Sequence, residues 1–474
     1  MWKILPALAG VSALLAIAFF ASRLLADQDA IITVNPNETY QSMRGWEVTV
    51  RAWETNKKLD RFDRSWETYS DELVRLLANE LGINRVRIEL KSGAENPVDY
   101  WALFRDGKIG YREYGRHYYE KINDNDDPHV ANPSGFQFSA LDYQVEKFVL
   151  PLARLVEANG EKLYINFNYV DFGGPLKSSL SHAQNPEEYA ELILAAFGHL
   201  RRRYGLTPDA LEITLEPENT DHWRGREIGE AMVAVAKRLK PAGFSPEMIA
   251  PSTTAASAAP RYFDEMIKVA GAANLVSELS YHRYRDPFPN DALPEIVKRA
   301  RKLGLPTAML EHVGGDVTEL HADLTLGNAS AWQQYGIATE LSLQDKDRGA
   351  YYYVRDLAAS DGRKLKMAER TRGLAQYFRF IRAGAIRIGA TSSSSDILPV
   401  AFRNPDGSTV VVAQARNSAT IKTIGLPAGA YGLRYTTNLE TGRELPMVRL
   451  GRDEALTVRI PASGVITFHQ KKDH

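Results

Sequence analysis

The chain has no cysteine. This excludes disulfides, thiolate metal sites and a cysteine nucleophile, and leaves the redox compartment open, because a chain without thiols tolerates either. It also lacks a dominant sign of charge, with 58 Lys+Arg against 59 Asp+Glu in 474 residues. No global field steers such a protein to nucleic acid or to an acidic surface, so a neutral partner and no nucleic acid are expected. Neither a Gly-x-Gly-x-x-Gly turn nor a P-loop occurs, which argues against nucleotide-dependent chemistry. Internal repeats and low-complexity segments are missing too. At the N-terminus it is charge that is absent: residues 4–21 carry none, after Met1-Trp2-Lys3 and before Arg23, Asp27 and Asp29. Residues 1–30 therefore read as an export signal, either cleaved after Leu24-Leu25-Ala26 or kept as a single membrane anchor. The expected location is extracytoplasmic: secreted, periplasmic or anchored to the membrane.

What is present centres on Leu211-Glu212-Ile213-Thr214-Leu215-Glu216. Apolar and polar residues alternate with the period of a half-buried strand, and Pro217, which lacks a backbone donor, stops the ladder. A carboxylate is left at the carboxyl end of the strand, where barrels of alternating strands and helices keep their chemistry. Pro306-Thr307-Ala308-Met309-Leu310-Glu311-His312 repeats the design. Two glutamates facing each other across one barrel mouth are the equipment of glycoside hydrolysis. The 22 Tyr and 7 Trp suffice to line a sugar-binding cleft. Trp46, Trp53, Trp223 and Trp332 are the candidate stacking platforms, although burial in the core is the commoner fate of any one of them.

Strands are expected at 45–50, 84–90, 163–168, 211–216, 248–252, 276–282, 306–312 and 350–354, with helices between them, including 331–343 and a last one at 368–380. Eight of each argue for a closed (β/α)8 TIM barrel, an α/β fold, over residues 31–382. After Gly384 the period changes to two. Short runs at 398–403, 410–415, 431–436 and 456–460, parted by turn clusters, read as a smaller all-β sandwich over 383–474, which the β-rich run 31–34 could join. Pro399 makes the first of these an edge strand at best. In 84–90 the alternation turns Arg85, Arg87 and Glu89 into the barrel, where charges survive only when paired. Residues 91–137 form a long insertion beside the mouth and read as a cleft wall. Within it, Asn123-Asp124-Asn125-Asp126-Asp127 has the oxygen atoms of a calcium loop but lacks the turn glycine and the distal glutamate, and reads as a solvated turn.

Taken together, these stretches resemble clan A glycoside hydrolases, most closely glycoside hydrolase family 30. Tyr40-Gln41 with Gly45-Trp46 is similar to that family's opening, Leu215-Glu216-Pro217-Glu218 to its acid/base strand, and Leu310-Glu311 to its nucleophile strand. The run from Tyr377 through Ala385 to Gly407 is similar to its junction into the sandwich. The resemblance implies a retaining O-glycosyl hydrolase with no cofactor and no metal, acting on a carbohydrate. It implies Glu216 as acid/base, Glu311 as nucleophile, Tyr284 as a hydrogen-bond donor to the nucleophile and Arg87 as the cation that keeps it ionised. The chain departs from the family at Leu215, where the family has an asparagine that bonds the sugar 2-hydroxyl; Asn168 and Asn219 are the candidate substitutes. His282, at the end of the sixth strand, is a further supporting residue, and Glu218 is a weaker rival for the acid. Two other readings compete: a metal-dependent barrel hydrolase using His282, His312, Glu216 and Glu311, and a non-catalytic carbohydrate-binding protein on a degenerate barrel.

Overall fold

A computed structural model describes residues 30–50, 60–62, 64–220, 222–341, 349–355 and 364–472. Trp53 and, apart from Ala30, the expected leader lie outside them. No helix among the described residues is long and apolar enough to cross a membrane. The chain forms two compact units: Thr39–Arg387 with Phe402–Gly407, and the described part of Met1–Glu38 with Ile388–Ala401 and Ser408–His474.

The first strand, β1 (Ala30–Ser42), enters the sheet of the smaller unit. The larger unit is built on β2 (Gly45–Thr49), β3 (Arg85–Lys91), β4 (Tyr164–Val170), β5 (Ala210–Glu212), β6 (Glu247–Thr253), β7 (Val276–His282), β8 (Thr307–Glu311) and β9 (Ala329–Trp332). These eight are parallel neighbours in sequence order, and pairing of Gly45 with Ala331 and Trp46 with Trp332 closes them into a barrel. Amphipathic helices such as Pro186–Tyr204 and Gly225–Leu239 make the crossovers that parallel pairing requires.

The barrel interior is polar, as the alternation in 84–90 requires. Arg85 is wholly buried between Glu47 of β2 and Glu278 of β7, which takes its guanidinium through two bonds of 3.0 and 2.7 Å. Asn166 donates to Glu212 at 2.8 Å in the same layer. Such charges are tolerated because each has its partner.

The eighth strand departs from the sequence expectation. Over its described part, 331–341, the expected helix is absent: β9 closes the barrel there, followed by β10 (Gly336–Leu341). Residues 350–354 lie in β11 (Ala350–Arg355), which extends the sheet beyond β10 and β2 and pairs with β12 (Lys364–Met367). The alanine content of 329–338 favours a helix locally, but Asn328 turns the chain at φ 48° and Gly336 is a poor helix former. Trp332 is then fixed by its indole donating to Asp323 at 2.9 Å. The crossover helix precedes this segment at Val317–Thr325, where Asp316 caps the N–H groups of Thr318 and Glu319.

In the smaller unit β1 joins β13 (Ile386–Ser392), β14 (Ile397–Arg403), β15 (Thr409–Ala415), β16 (Ala419–Ile424), β17 (Gly429–Thr437), β18 (Arg443–Leu450), β19 (Leu456–Ile460) and β20 (Gly464–Lys471). The order is β18-β17-β20-β15-β14-β13-β1-β16-β19. Most neighbours whose register is known are antiparallel, and β1 runs parallel to β16. Ile32, Ile388, Val411, Ile421, Leu433, Leu456 and Phe468, spread along the whole order, share one core, so the sheet folds over itself as a sandwich. Pro399 does not mark an edge: β14 has a neighbour on both sides. The proline is the strand's third residue and only half-buried, close to the end where one missing donor costs least.

Candidate active site

Regular pairing of β5 stops at Glu212, yet the ladder runs on. The N–H of Leu215 donates to Tyr169 and that of Glu216 to Ser252, both at 3.0 Å. Glu216 itself takes a left-handed conformation, φ 48°, a strain of order 1–3 kcal/mol for a non-glycine residue. Pro217 disfavours the right-handed helical region for the residue before it, and the strained turn holds the carboxylate at the mouth.

Glu311 ends β8 and is nine-tenths buried. Its Oε2 forms a close ion pair with Arg87 Nη2, and its Oε1 accepts from the Tyr284 hydroxyl at 3.0 Å. That hydroxyl in turn accepts from the N–H of Val313 at 2.9 Å. Burial, then the charge of Glu311, pushes the Tyr284 phenol up, so it stays a donor. Burial alone would favour loss of the Arg87 proton, but Glu311, Glu212 and Glu89 more than offset it, and Arg87 remains a fixed cation.

Glu216 has different company. Its Oε1 lies 3.0 Å from His282 Nδ1, and its Oε2 accepts from Asn219 Nδ2 at 2.6 Å. One oxygen of Glu216, one of Glu311 and a ring nitrogen of His282 all lie within 4.8 Å of one another. Burial would lower the His282 imidazole, but its hydrogen bond to Glu216 and the charges of Glu311 and Glu216 outweigh burial and the repulsion of Arg87, and raise it. A cationic His282 therefore stabilises the fold most below its unfolded value of about 6.5, and the contribution fades as pH rises through the raised folded value. The melting temperature of His282→Asn should accordingly fall furthest below wild type near pH 6 and approach it by pH 9; a gap independent of pH between those values would refute the charged imidazole.

The trio could in principle hold a metal ion. Against this, the Arg87 guanidinium already occupies one Glu311 oxygen and would repel a cation there. His312 is not part of the cluster; its Nδ1 pairs with Glu319 at 2.6 Å. Glu218, the rival acid, accepts the backbone N–H groups of Thr254 and Ala255 at 2.8 and 3.3 Å and is used structurally.

The aromatic expectations need correction. Trp46 is wholly buried, stacks on Phe378 at 4.3 Å and donates to the Ile381 carbonyl, so it is core and offers no face to a sugar. Trp332 is buried likewise. Trp223 is almost fully buried against Tyr169 and Tyr189. It borders a cavity of about 460 Å³ that also reaches Asn219, the partner of Glu216. Asn168 lies inside the barrel with neither amide atom partnered among the described residues, and Asn219 spends its amide N–H on Glu216.

Two residues in that cavity wall were not singled out by sequence. Lys121, from the insertion, pairs at 2.8 Å with Asp171, just past the end of β4, and Ser92 donates to the same carboxylate. Burial would raise Asp171, but the charge and hydrogen bond of Lys121, with the charge of His182 and the bond from Ser92, together lower it. The signal for Asp171 was its place, since it follows its strand as Glu216 and Glu311 end theirs. For Lys121 no local signal exists.

Residues 384–468 match the family model for the glycosyl hydrolase family 30 beta sandwich domain. No curated protein matches the chain in sequence. Among solved structures, the catalytic domain of GH30 xylanase C from Talaromyces cellulolyticus is similar at 18% identity and TM-score 0.67, over 93% of this chain and 100% of that one. A GH30 endoxylanase from Clostridium papyrosolvens is similar at 18% identity and TM-score 0.62, over 94% and 100%. A glucosidase from Croceicoccus marinus is similar at 12% identity and TM-score 0.57, over 94% and 100%. These likenesses establish a shared fold; the chemistry has to be argued from the site.

Proposed function

We propose that the chain is a family 30 glycoside hydrolase that cleaves a β-glycosidic bond with retention, through a glycosyl-enzyme intermediate. The observation that carries the reading is the close approach of Glu216 and Glu311, with oxygens within 4.8 Å, by two carboxylates whose partners differ in kind. Retaining enzymes hold their carboxyl groups about 5–5.5 Å apart, inverting ones about 6.5–9.5 Å. Glu311, bound by Arg87 and Tyr284, is the nucleophile that attacks the anomeric carbon. Glu216 protonates the leaving oxygen and then, as base, takes a proton from the water that releases the sugar. The sandwich match supports the family, and the shared fold supports the placement of the two strands. The neighbours include both xylanases and a glucosidase, so the substrate is proposed only as a neutral oligo- or polysaccharide or glycoconjugate. Export rests on the charge-free run at 4–21.

The test is hydrolysis of a panel of aryl β-glycosides by the mature protein, with the anomer of the first-formed sugar read by NMR. Release of the β-anomer supports the proposal; release of the α-anomer, or no cleavage of any glycoside, overturns it. On a cleaved substrate, Tyr284→Phe removes one charge-assisted hydrogen bond from Glu311. At about 1.5–3 kcal/mol for such a bond, kcat should fall roughly 10- to 150-fold.

A further inference from the structure

Away from the catalytic mouth, the insertion and the Pro186–Tyr204 helix bring together carboxylates that the glycosidase chemistry does not use. One oxygen each of Glu95, Asp124 and Glu188 lie within 4.8 Å of one another. Glu95 Oε1, Asp124 Oδ1 and Glu188 Oε2 are all buried with no hydrogen-bond partner among the described residues. One helical turn from Glu188, on the same face, stands Glu191, which is 1% exposed and has both carboxylate oxygens unpartnered among the described residues. Burial, then the charges of Asp124 and Glu188, raise its carboxyl, and the charge of Arg238 opposes them only in part. Asn123 adds a buried, unpartnered amide oxygen, while its side chain bonds Glu188.

Positive charge nearby does not satisfy this set. His182 Nε2 takes the other oxygen of Glu95 at 2.6 Å. Arg238 is engaged with the carbonyl of Pro128 and with His129 Nδ1. The cluster is nevertheless firmly placed. Asp124 Oδ2 accepts from Asn125 Nδ2 at 2.8 Å and from the N–H of Asn132. A Cβ on Gly135 would come within 2.2 Å of that of Asp124, so only glycine lets the two segments meet. Ile122 N–H bonds the Glu95 carbonyl at 2.9 Å.

We propose that Glu95, Asp124 and Glu188, with Glu191 and Asn123, bind one calcium ion that ties the insertion to the Pro186–Tyr204 helix. Buried carboxylates with free oxygens are stable when they share a cation. All the free atoms are hard oxygens, which suit calcium or magnesium and not zinc or copper. Calcium takes six to eight oxygens at about 2.3–2.6 Å, so its ligands stand up to about 5 Å apart, matching the spread here; magnesium, at about 2.0–2.1 Å in a strict octahedron, needs a tighter set. Glu191 also lines a cavity of about 660 Å³ beside His129, Phe136 and Arg238, which gives an ion a way in. The Asn123–Asp127 run thus contributes to a site assembled from three segments, with ligands the loop itself lacks.

The test uses the whole protein, stripped with EDTA and returned to chelator-free buffer. Titration calorimetry with calcium chloride should show one ion per chain, and millimolar calcium should raise the melting temperature by several degrees, with magnesium weaker. Glu188→Gln should lower calcium affinity at least tenfold. Its metal-free form should melt at or above metal-free wild type, because the change relieves repulsion. If that variant does not fold, terbium luminescence in wild type, displaced by calcium at one equivalent, decides. No calcium heat and no thermal shift in wild type would overturn the proposal, as would an unchanged calcium response in Glu188→Gln. So would a melting temperature that rises on mild acidification but ignores calcium, since the carboxyls would then be sharing protons instead.

Discussion

Glu311→Gln should lower turnover of an activated aryl glycoside on the order of 10⁴-fold or more while KM changes little, as expected for loss of a nucleophile that acts only in the chemical step. The amide is nearly isosteric with the carboxylate, so Tyr284 and Arg87 keep a neighbour and the fold is disturbed little. Glu216→Ala should behave differently. A good leaving group needs no proton, so formation of the glycosyl-enzyme should be slowed little for a dinitrophenyl glycoside and by about 10²–10⁴-fold for an alkyl glycoside. Azide, which needs no general base, should restore turnover in Glu216→Ala and yield the β-glycosyl azide. In Glu311→Gln, azide should restore nothing or give the opposite anomer. The same signature in both variants would mean that the roles are misassigned.

The part of this site that was legible in sequence is the part carried by strand ends. Glu216, Glu311 and His282 finish stretches whose alternation fixes a face, and that face can only be the barrel interior. Arg87 was legible for the same reason, because a charge on an inward face needs a partner. Asn219 is three residues beyond Glu216 and reaches back through a single turn of 3-10 helix. What the sequence hid depends on tertiary neighbours. Trp46 and Trp223 carry no local mark that separates a core indole from a sugar platform; the difference lies in Phe378, Tyr169 and Tyr189, which are distant in the chain. Residues 329–341 favour a helix by composition and become strands because pairing with β8 and β2 overrides propensity. The Asp316 cap of the Val317–Thr325 helix was a local signal, an acidic N-cap with Glu319 three residues on, and it would have moved the eighth strand to its observed place. Lys121 and the carboxylate cluster of the insertion needed the fold itself, since their partners come from the loop after β4 and from a helix.

Arg85→Met should destabilise the barrel by about 3–5 kcal/mol at pH 7, the usual cost of removing one partner from a buried ionic group. Arg85, Glu47 and Glu278 have no exposed side-chain surface, and Arg44, 3.5 Å from Glu278, and the amides of Gln333 and Asn166 on Glu47 compensate the two carboxylates only in part. The pH dependence identifies the cause. Burial would raise Glu278, yet the charge and hydrogen bonds of Arg85, with the charge of Arg44, together outweigh burial and hold it below its ordinary value. Its contribution is therefore present above about pH 4.5 and lost as pH falls through the lower folded value. In Glu47 burial wins over Arg85 and the carboxyl is raised, so its ionisation opposes folding as pH climbs above the same point. Without Arg85 both carboxyls should be raised, and the variant should gain stability on acidification where wild type loses the Glu278 contribution. The gap between the two urea midpoints should thus narrow steadily from pH 7 to pH 4. Adding Glu278→Gln to Arg85→Met should recover part of the loss at pH 7, because one of the two stranded charges is gone. If the gap were constant with pH and the second substitution recovered nothing, the cost would be that of lost packing around a long side chain, and the polar interior of this barrel would owe its stability to volume instead of charge.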